Sequence, residues 1–238
     1  MSDSSIDHLL AEFDFACDFP WTQGSFAELR RYVRAVEEFL PHSSAQRSVR
    51  LHARIGRTPD PVQIGEVQSE LAELEQDERT VIPRLVWGGV LVAVYGALEF
   101  GVKRTLAHWC QTVAYRPTFR KQRNESFLVS AETYVRQHLL LELFPSEAHR
   151  TKLLALSALR NSFAHGGGLL ADLSDEVADA IRTKAHAGLA FEVSEGQWVP
   201  NGSAAIHYLR LARDTLSPFG SAVLEKCLAH HCARSKGV

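Results

Sequence analysis

The residues of this chain best suited to chemistry stand together in Leu159–Gly166, LRNSFAHG. Metal-free transfer of a phosphoryl group needs a group that moves protons at the attacking or the leaving oxygen. It also needs a cation for the charge that develops on the phosphate. His165 suits the proton transfer, because an imidazole has an unperturbed pKa of ~6.5. A helix C-terminus favours the protonated ring, so general acid is the expected role. Arg160 suits the phosphate, as a permanently charged planar fork that binds two oxygens. Asn161, four residues before His165, lies on the same helix face and is placed to orient the imidazole or the phosphate.

Helix geometry sets a constraint. At 100° per residue, Arg160 and His165 stand about 140° apart around a regular helix. They converge only if the long arginine side chain wraps round or the helix loosens at Gly166, Gly167 and Gly168. A two-fold dimer relieves this by bringing two copies of the segment into one cleft. The ordinary alternative is that an arginine and a histidine at a helix end interact with terminal carbonyls, with Gly166 as the C-cap.

The Arg160–Asn161–His165 pattern at the end of an amphipathic helix, with Leu153, Leu154, Leu156 and Leu159 before it, resembles the Arg-x4-6-His motif of the HEPN domain superfamily. The upstream helix VLVAVYGALEFGVKRTL, residues 90–106, is similar to HEPN helices that carry an apolar stretch, Ala-Leu-Glu and then basic residues. The resemblance implies an all-helical bundle and a metal-independent endoribonuclease, with Arg160, His165 and Asn161 in a composite site at a homodimer interface. A toxin or defence effector, with an antitoxin or regulatory protein as partner, is the role it suggests. The alternative within the family is a non-catalytic scaffold that binds RNA, nucleotide or a protein. Some HEPN toxins carry a tyrosine two residues after the histidine, modified by a nucleotidyltransferase antitoxin. Gly167 stands there in this chain, so that control is not expected.

Other candidates are weighed against plainer uses. Glu99 interrupts an apolar helix; it is either a carboxylate that orients Arg160 or His165, or the i,i+4 ion-pair partner of Lys103. The run Lys103–Arg123 contains Arg104, Arg116, Arg120, Lys121 and Arg123, no acid, and interleaved Trp109, Tyr115 and Phe119. That pattern fits an RNA-contacting surface, with Arg116, Arg120, Lys121 and Arg123 on phosphates, or else a solvated loop. Cys227, His230, His231 and Cys232 match no structural zinc spacing, and neither metal nor cofactor is expected. Ser162 lacks a nucleophile-elbow context. The three glycines follow a helix rather than precede one, so they form no phosphate loop.

The elements that must position these groups are helical. Ser25, with Glu28 in capping-box spacing, predicts a helix to Leu40 that Pro41 ends. The following stretch, SSAQRSVRLHARIGRTPDP, is unassigned apart from a loop at its Gly and Pro residues. From Val62 to Thr112 the pattern is helical almost throughout. Glu66–Glu78, with six acids and no base, is its solvated half, and Pro83 marks a kink or break. Leu85–Leu98 is the apolar half, where Gly88, Gly89, Gly96 and Gly101 suggest close approach of another backbone. Helices follow at Phe127–Leu143, at a segment that begins with Ser146 and is stopped by Gly166, Gly167 and Gly168, and at Asp175–Ala187. A small hairpin occupies Gly188–Asn201, and Ser203 caps a last helix that Pro218 bends. The expected organisation is an N-terminal helical extension over 1–61 and a HEPN-like helical domain over 62–238.

Composition agrees with one globular chain: 238 residues, 45% hydrophobic and 23% charged. A formal charge of −2 excludes nucleic-acid binding by overall positive charge, though not a basic patch. Met1–Asp18 has five acids and no Lys or Arg, the wrong start for a secretory leader. The Leu85–Leu98 run is shorter than the roughly 18 residues of a spanning helix, so no membrane is expected. Cys17, Cys110, Cys227 and Cys232 lack a framework spacing and read as reduced thiols in a cytoplasmic protein.

Overall fold

The computed structural model describes residues 20–57, 60–114, 117–166, 168, 169, 171, 173–175, 192–194 and 196–236. The fold is all-α, with one two-stranded hairpin among the described residues. Helix α1 spans Pro20–Ile55 and α2 spans Pro61–Gln76. A π-turn at Asp77–Val81 joins α2 to α3, Ile82–Thr112. Helix α4, Phe127–Tyr134, passes into a second π-turn at Val135–Leu139. Helix α5 is Glu147–Gly166, the strands are β1, Glu192–Ser194, and β2, Gln197–Val199, and α6 is Gly202–Lys236.

The chain divides into two compact units, 1–29 with 93–159 and 208–238, and 30–92 with 160–207. In the first, the buried residues recur at helical spacing: Val94, Leu98, Val102 and Leu106 of α3, Leu128 and Ala131 of α4, Leu153 and Leu156 of α5, Ala212, Phe219 and Val223 of α6. Two buried polar links brace this core. Ser157 donates to the Tyr95 hydroxyl at 3.1 Å, and the buried Glu132 carboxylate accepts from Arg150 Nε at 2.9 and 3.0 Å. The Glu132 bond holds the Arg150 guanidinium pKa above its ordinary value. In the second unit Val33, Val67, Leu74, Trp87, Leu91 and Trp198 are buried, and Arg54 pairs with Glu70 at 2.8 Å, tying α1 to α2.

Several local expectations are corrected. Ser25 lies within α1, which starts at Pro20 and runs through Pro41. The proline removes one helical donor. The residues after it sustain the helix with i,i+4 contacts, Gln46 to His42 at 2.9 Å and the His52 ring to the Ser48 carbonyl at 2.9 Å. Near Pro83 the helix does not stop. It changes register one turn earlier, where the Ile82 N–H bonds the Asp77 carbonyl. The helix expected to reach Leu143 ends at Leu140, whose φ of 51° is left-handed. Asn201, not Ser203, caps α6: its Oδ1 accepts from the Ala204 N–H at 3.0 Å. Gly89 and Gly96 face open space, so close approach explains only Gly88 of these three, and there the neighbour is the Phe163 ring rather than backbone. Helix α3 is 31 residues and, by length and composition, long enough to cross a membrane, with half of its most apolar stretch buried within the chain.

Other expectations stand. The hairpin pairs Glu192 with Val199 and Ser194 with Gln197 around Gly196. Ser146 starts α5, its Oγ accepting from the His149 N–H at 3.3 Å. The helix expected at Asp175–Ala187 lies, beyond Asp175, outside the described residues.

Burial also sets an alkaline limit. Desolvation pushes the Cys227 thiol up to about 11, opposed in part by a hydrogen bond with Thr112, and it raises the Tyr208 phenol as well. Both groups are held neutral in the fold and ionise sooner in the unfolded chain, at ~8.5 and ~10. Their contribution is therefore complete below about pH 8.5 and lost as pH rises toward the folded values, by up to about 1.4 kcal/mol per unit per group. Urea midpoints at pH 8, 9 and 10 should fall progressively, and Cys227→Val should flatten the fall between 9 and 10.

Candidate functional site

The end of α5 sorts its residues by face. Ser162 is buried, and its hydroxyl donates to the Leu169 carbonyl at 2.9 Å. The Gly168 N–H returns to the Ser162 carbonyl at 3.3 Å, with φ of +88° at Gly168. A side chain would resist that backbone conformation, which is the physical use of the glycine. The Trp198 N–H then bonds the Gly168 carbonyl at 3.0 Å, and its indole N–H lies 3.5 Å from Ser162 Oγ. Phe163 packs edge-on to Trp198, ring centroids 5.5 Å apart, and fills the space left by the missing Cβ of Gly88.

These inward anchors leave the polar residues outside. Asn161 and His165 are exposed, one turn apart, and Arg160 is half-buried. The Arg160 guanidinium donates to Asn161 Oδ1 at 2.9 Å. The arginine thus reaches round the helix toward the face that Asn161 shares with His165. The site as it stands offers a fixed cation, an amide and an exposed imidazole, the set required to hold a phosphate and move a proton beside it.

The remaining candidates belong to other elements. Glu99 accepts from Lys103 Nζ at 2.6 Å, the pairing its i,i+4 spacing allows. Lys103 also stands 5.1 Å above the Phe127 ring. Lys103 and Arg104 belong to α3 rather than to a loop. Arg120, Lys121 and Arg123 are exposed, and Arg116 and Tyr115 lie outside the described residues. Of the interleaved aromatics, Trp109 is buried, and Phe119 meets Phe127 at 5.6 Å and Tyr134 at 5.5 Å, both edge-on. Lys103 and Lys121 line a cavity of about 620 Å³ with Leu106, Ala107 and Phe119. Among the described residues no three His, Cys, Asp or Glu side chains form a cluster fit for a metal, and Cys110, Cys227 and Cys232 are free thiols.

Two residues that hold the site in place were not singled out from the sequence. Trp198 signalled only a strand, and Gly88 only a costly helix glycine. The chain matches no protein-family model, no curated protein and no solved structure.

Proposed function

We propose that the chain is a metal-independent endoribonuclease of HEPN type, acting as a homodimer with Arg160, Asn161 and His165 of both copies in one cleft. The observation that carries this reading is the Arg160–Asn161 hydrogen bond at the end of α5, which brings a phosphate-binding cation toward the face of an exposed histidine. The resemblance in the Arg-x4-His segment supplies the reaction class, and a toxin or defence effector held by an antitoxin or regulatory protein is the biological setting we favour. In the reaction the 2′-OH gives up its proton to water as its oxygen bonds the adjacent phosphorus, and the bond from phosphorus to the 5′-oxygen breaks. Arg160 neutralises the phosphoryl oxygens, Asn161 orients them or the ring, and the His165 imidazolium protonates the departing 5′-oxygen. The products are a 2′,3′-cyclic phosphate and a 5′-hydroxyl.

The test is RNA cleavage by the purified chain with EDTA present, end-group analysis of the products, and the same strand made of DNA. Cleavage of the DNA strand, or dependence on a divalent ion, would overturn the mechanism. A complete lack of cleavage by the dimer would favour the scaffold reading. A monomer with full activity in light scattering and assay would remove the shared cleft.

RNA contact is assigned to the basic loop. Replacing Arg116, Arg120, Lys121 and Arg123 with alanine should weaken single-strand binding and reduce the slope of log K against log salt by up to about 3, near 0.7 for each lost phosphate contact. An unchanged slope would make the segment a solvated loop.

A further inference from the structure

The cavity of about 620 Å³ lies along the C-terminal part of α3, and its size is that of a small-molecule site. Lys103, Ala107 and Ala114 line one wall at helical spacing, so the cavity follows one face of α3 for about 16 Å. Thr118, Phe119 and Lys121, from the segment after the helix, line the other wall. Phe119 is half-buried and the other five are exposed, so a ligand can touch all of them. Leu106 and Cys110 are buried and only complete the wall. The two lysines differ. Lys103 is neutralised by Glu99 at 2.6 Å, whereas Lys121 has no ion-pair partner among the described residues. No acid among the described residues lines the cavity. Ala114 is strained, because its φ of 51° is left-handed, a conformation that glycine usually takes at a helix end. In other residues such strain concentrates at ligand sites.

We propose that this cavity binds an amphiphilic monoanion, a carboxylate carried on a medium-length alkyl chain. One uncompensated cation lines it, so it balances one negative head and not two. A lysine ammonium has three donors on a flexible stem and meets a carboxylate from many directions. No fixed spacing between two charged groups is therefore required. The Thr118 hydroxyl and the Gln111 amide, on the same walls, supply neutral donors. The alkyl chain lies along the α3 face against Ala107, Ala114, the Phe119 ring and the methylene stem of Lys103, whose charge stays with Glu99. Alanine at 107 and 114 is what leaves room for it. The length of the cavity along α3 suits a chain better than a compact ring, and the absence of a lining acid disfavours a cationic head. Lys121 is among the residues assigned to RNA, so an occupied cavity competes with that contact. The binding itself does not rest on the endoribonuclease reading.

Isothermal titration of the full chain with decanoate tests this. Acetate serves as the head alone, and decyltrimethylammonium as the same chain with the opposite charge. Decanoate should bind with a Kd below about 1 mM. Acetate should bind at least roughly 30-fold more weakly, because the buried methylenes are lost. Decyltrimethylammonium should bind at least about tenfold more weakly than decanoate, because its charge faces a like charge on Lys121. Lys121→Glu should reverse the preference between the two charged chains. Ala107→Trp should fill the cavity and weaken decanoate by about tenfold or more. Both positions are exposed, so both variants should keep the helical fold, which circular dichroism checks. No binding of decanoate at ~10 mM, enough to detect a Kd near 1 mM, would overturn the proposal. Comparable affinity for the two charged chains, or a decanoate affinity that either variant leaves unchanged, would overturn it too.

Discussion

Replacing His165 with alanine should lower the RNA cleavage rate by on the order of 10²–10⁴ while leaving the helical fold intact. The fold is spared because the imidazole is exposed, whereas the end of α5 is held by the buried Ser162, by Phe163 and by Gly168. Arg160→Ala should cost at least as much in rate. Arg160→Lys should recover little, since a point charge cannot span two phosphoryl oxygens or keep the 2.9 Å bond to Asn161 in the same geometry. Asn161→Ala separates two roles for the amide. If Asn161 steers the guanidinium, its loss and that of Arg160 will not add in the double variant. Single-turnover rates and circular dichroism on the wild type and the five variants decide the matter. Wild-type rates in His165→Ala would end the proposed role for the imidazole.

How much of this was legible in the sequence depends on which physical signal each element leaves. The apolar stripe of α3 and the alternation around Trp198 are periodic, and periodicity survives without a structure. The end of α1 was not legible, because a proline usually closes a helix and nothing local advertises that the residues beyond Pro41 will bond one another at i,i+4. Asn201 displaced Ser203 as a cap by two positions, a choice between two competent side chains that only the backbone path decides. The π-turns were invisible, since a one-residue change of register alters no composition. At the candidate site the chemistry-bearing residues were legible by type and spacing. Their support was not: Ser162, Gly88 and Trp198 are far apart in the chain, and what links them is the close approach of one ring.

That support makes the second large effect. Trp198 is fully buried, and Trp198→Ala should cost about 3–5 kcal/mol by the loss of transferred surface and the cavity left behind. Against a total stability of about 5–15 kcal/mol for an ordinary domain, this is a substantial fraction. Trp198→Phe should cost much less. It keeps most of the ring against Phe163 and gives up only a long indole contact with Ser162 at 3.5 Å, about 1 kcal/mol. Gly88→Ala approaches the same knot from the other side. Its Cβ would overlap the Phe163 ring, which is backed by Trp198 and cannot retreat freely, so a loss of about 1–3 kcal/mol is expected. Shortening the ring with Phe163→Leu should return part of that loss, and the double variant should be more stable than the sum of the two single changes implies. Urea unfolding of the five variants measures all of this. The knot also fixes where α5 ends, so Trp198→Ala should lower cleavage even at temperatures where the chain remains folded, and hydrogen exchange at Gly168 should rise with it. A Trp198→Ala protein within about 1 kcal/mol of wild type, with full activity, would show that Arg160, Asn161 and His165 hold their arrangement without the hairpin.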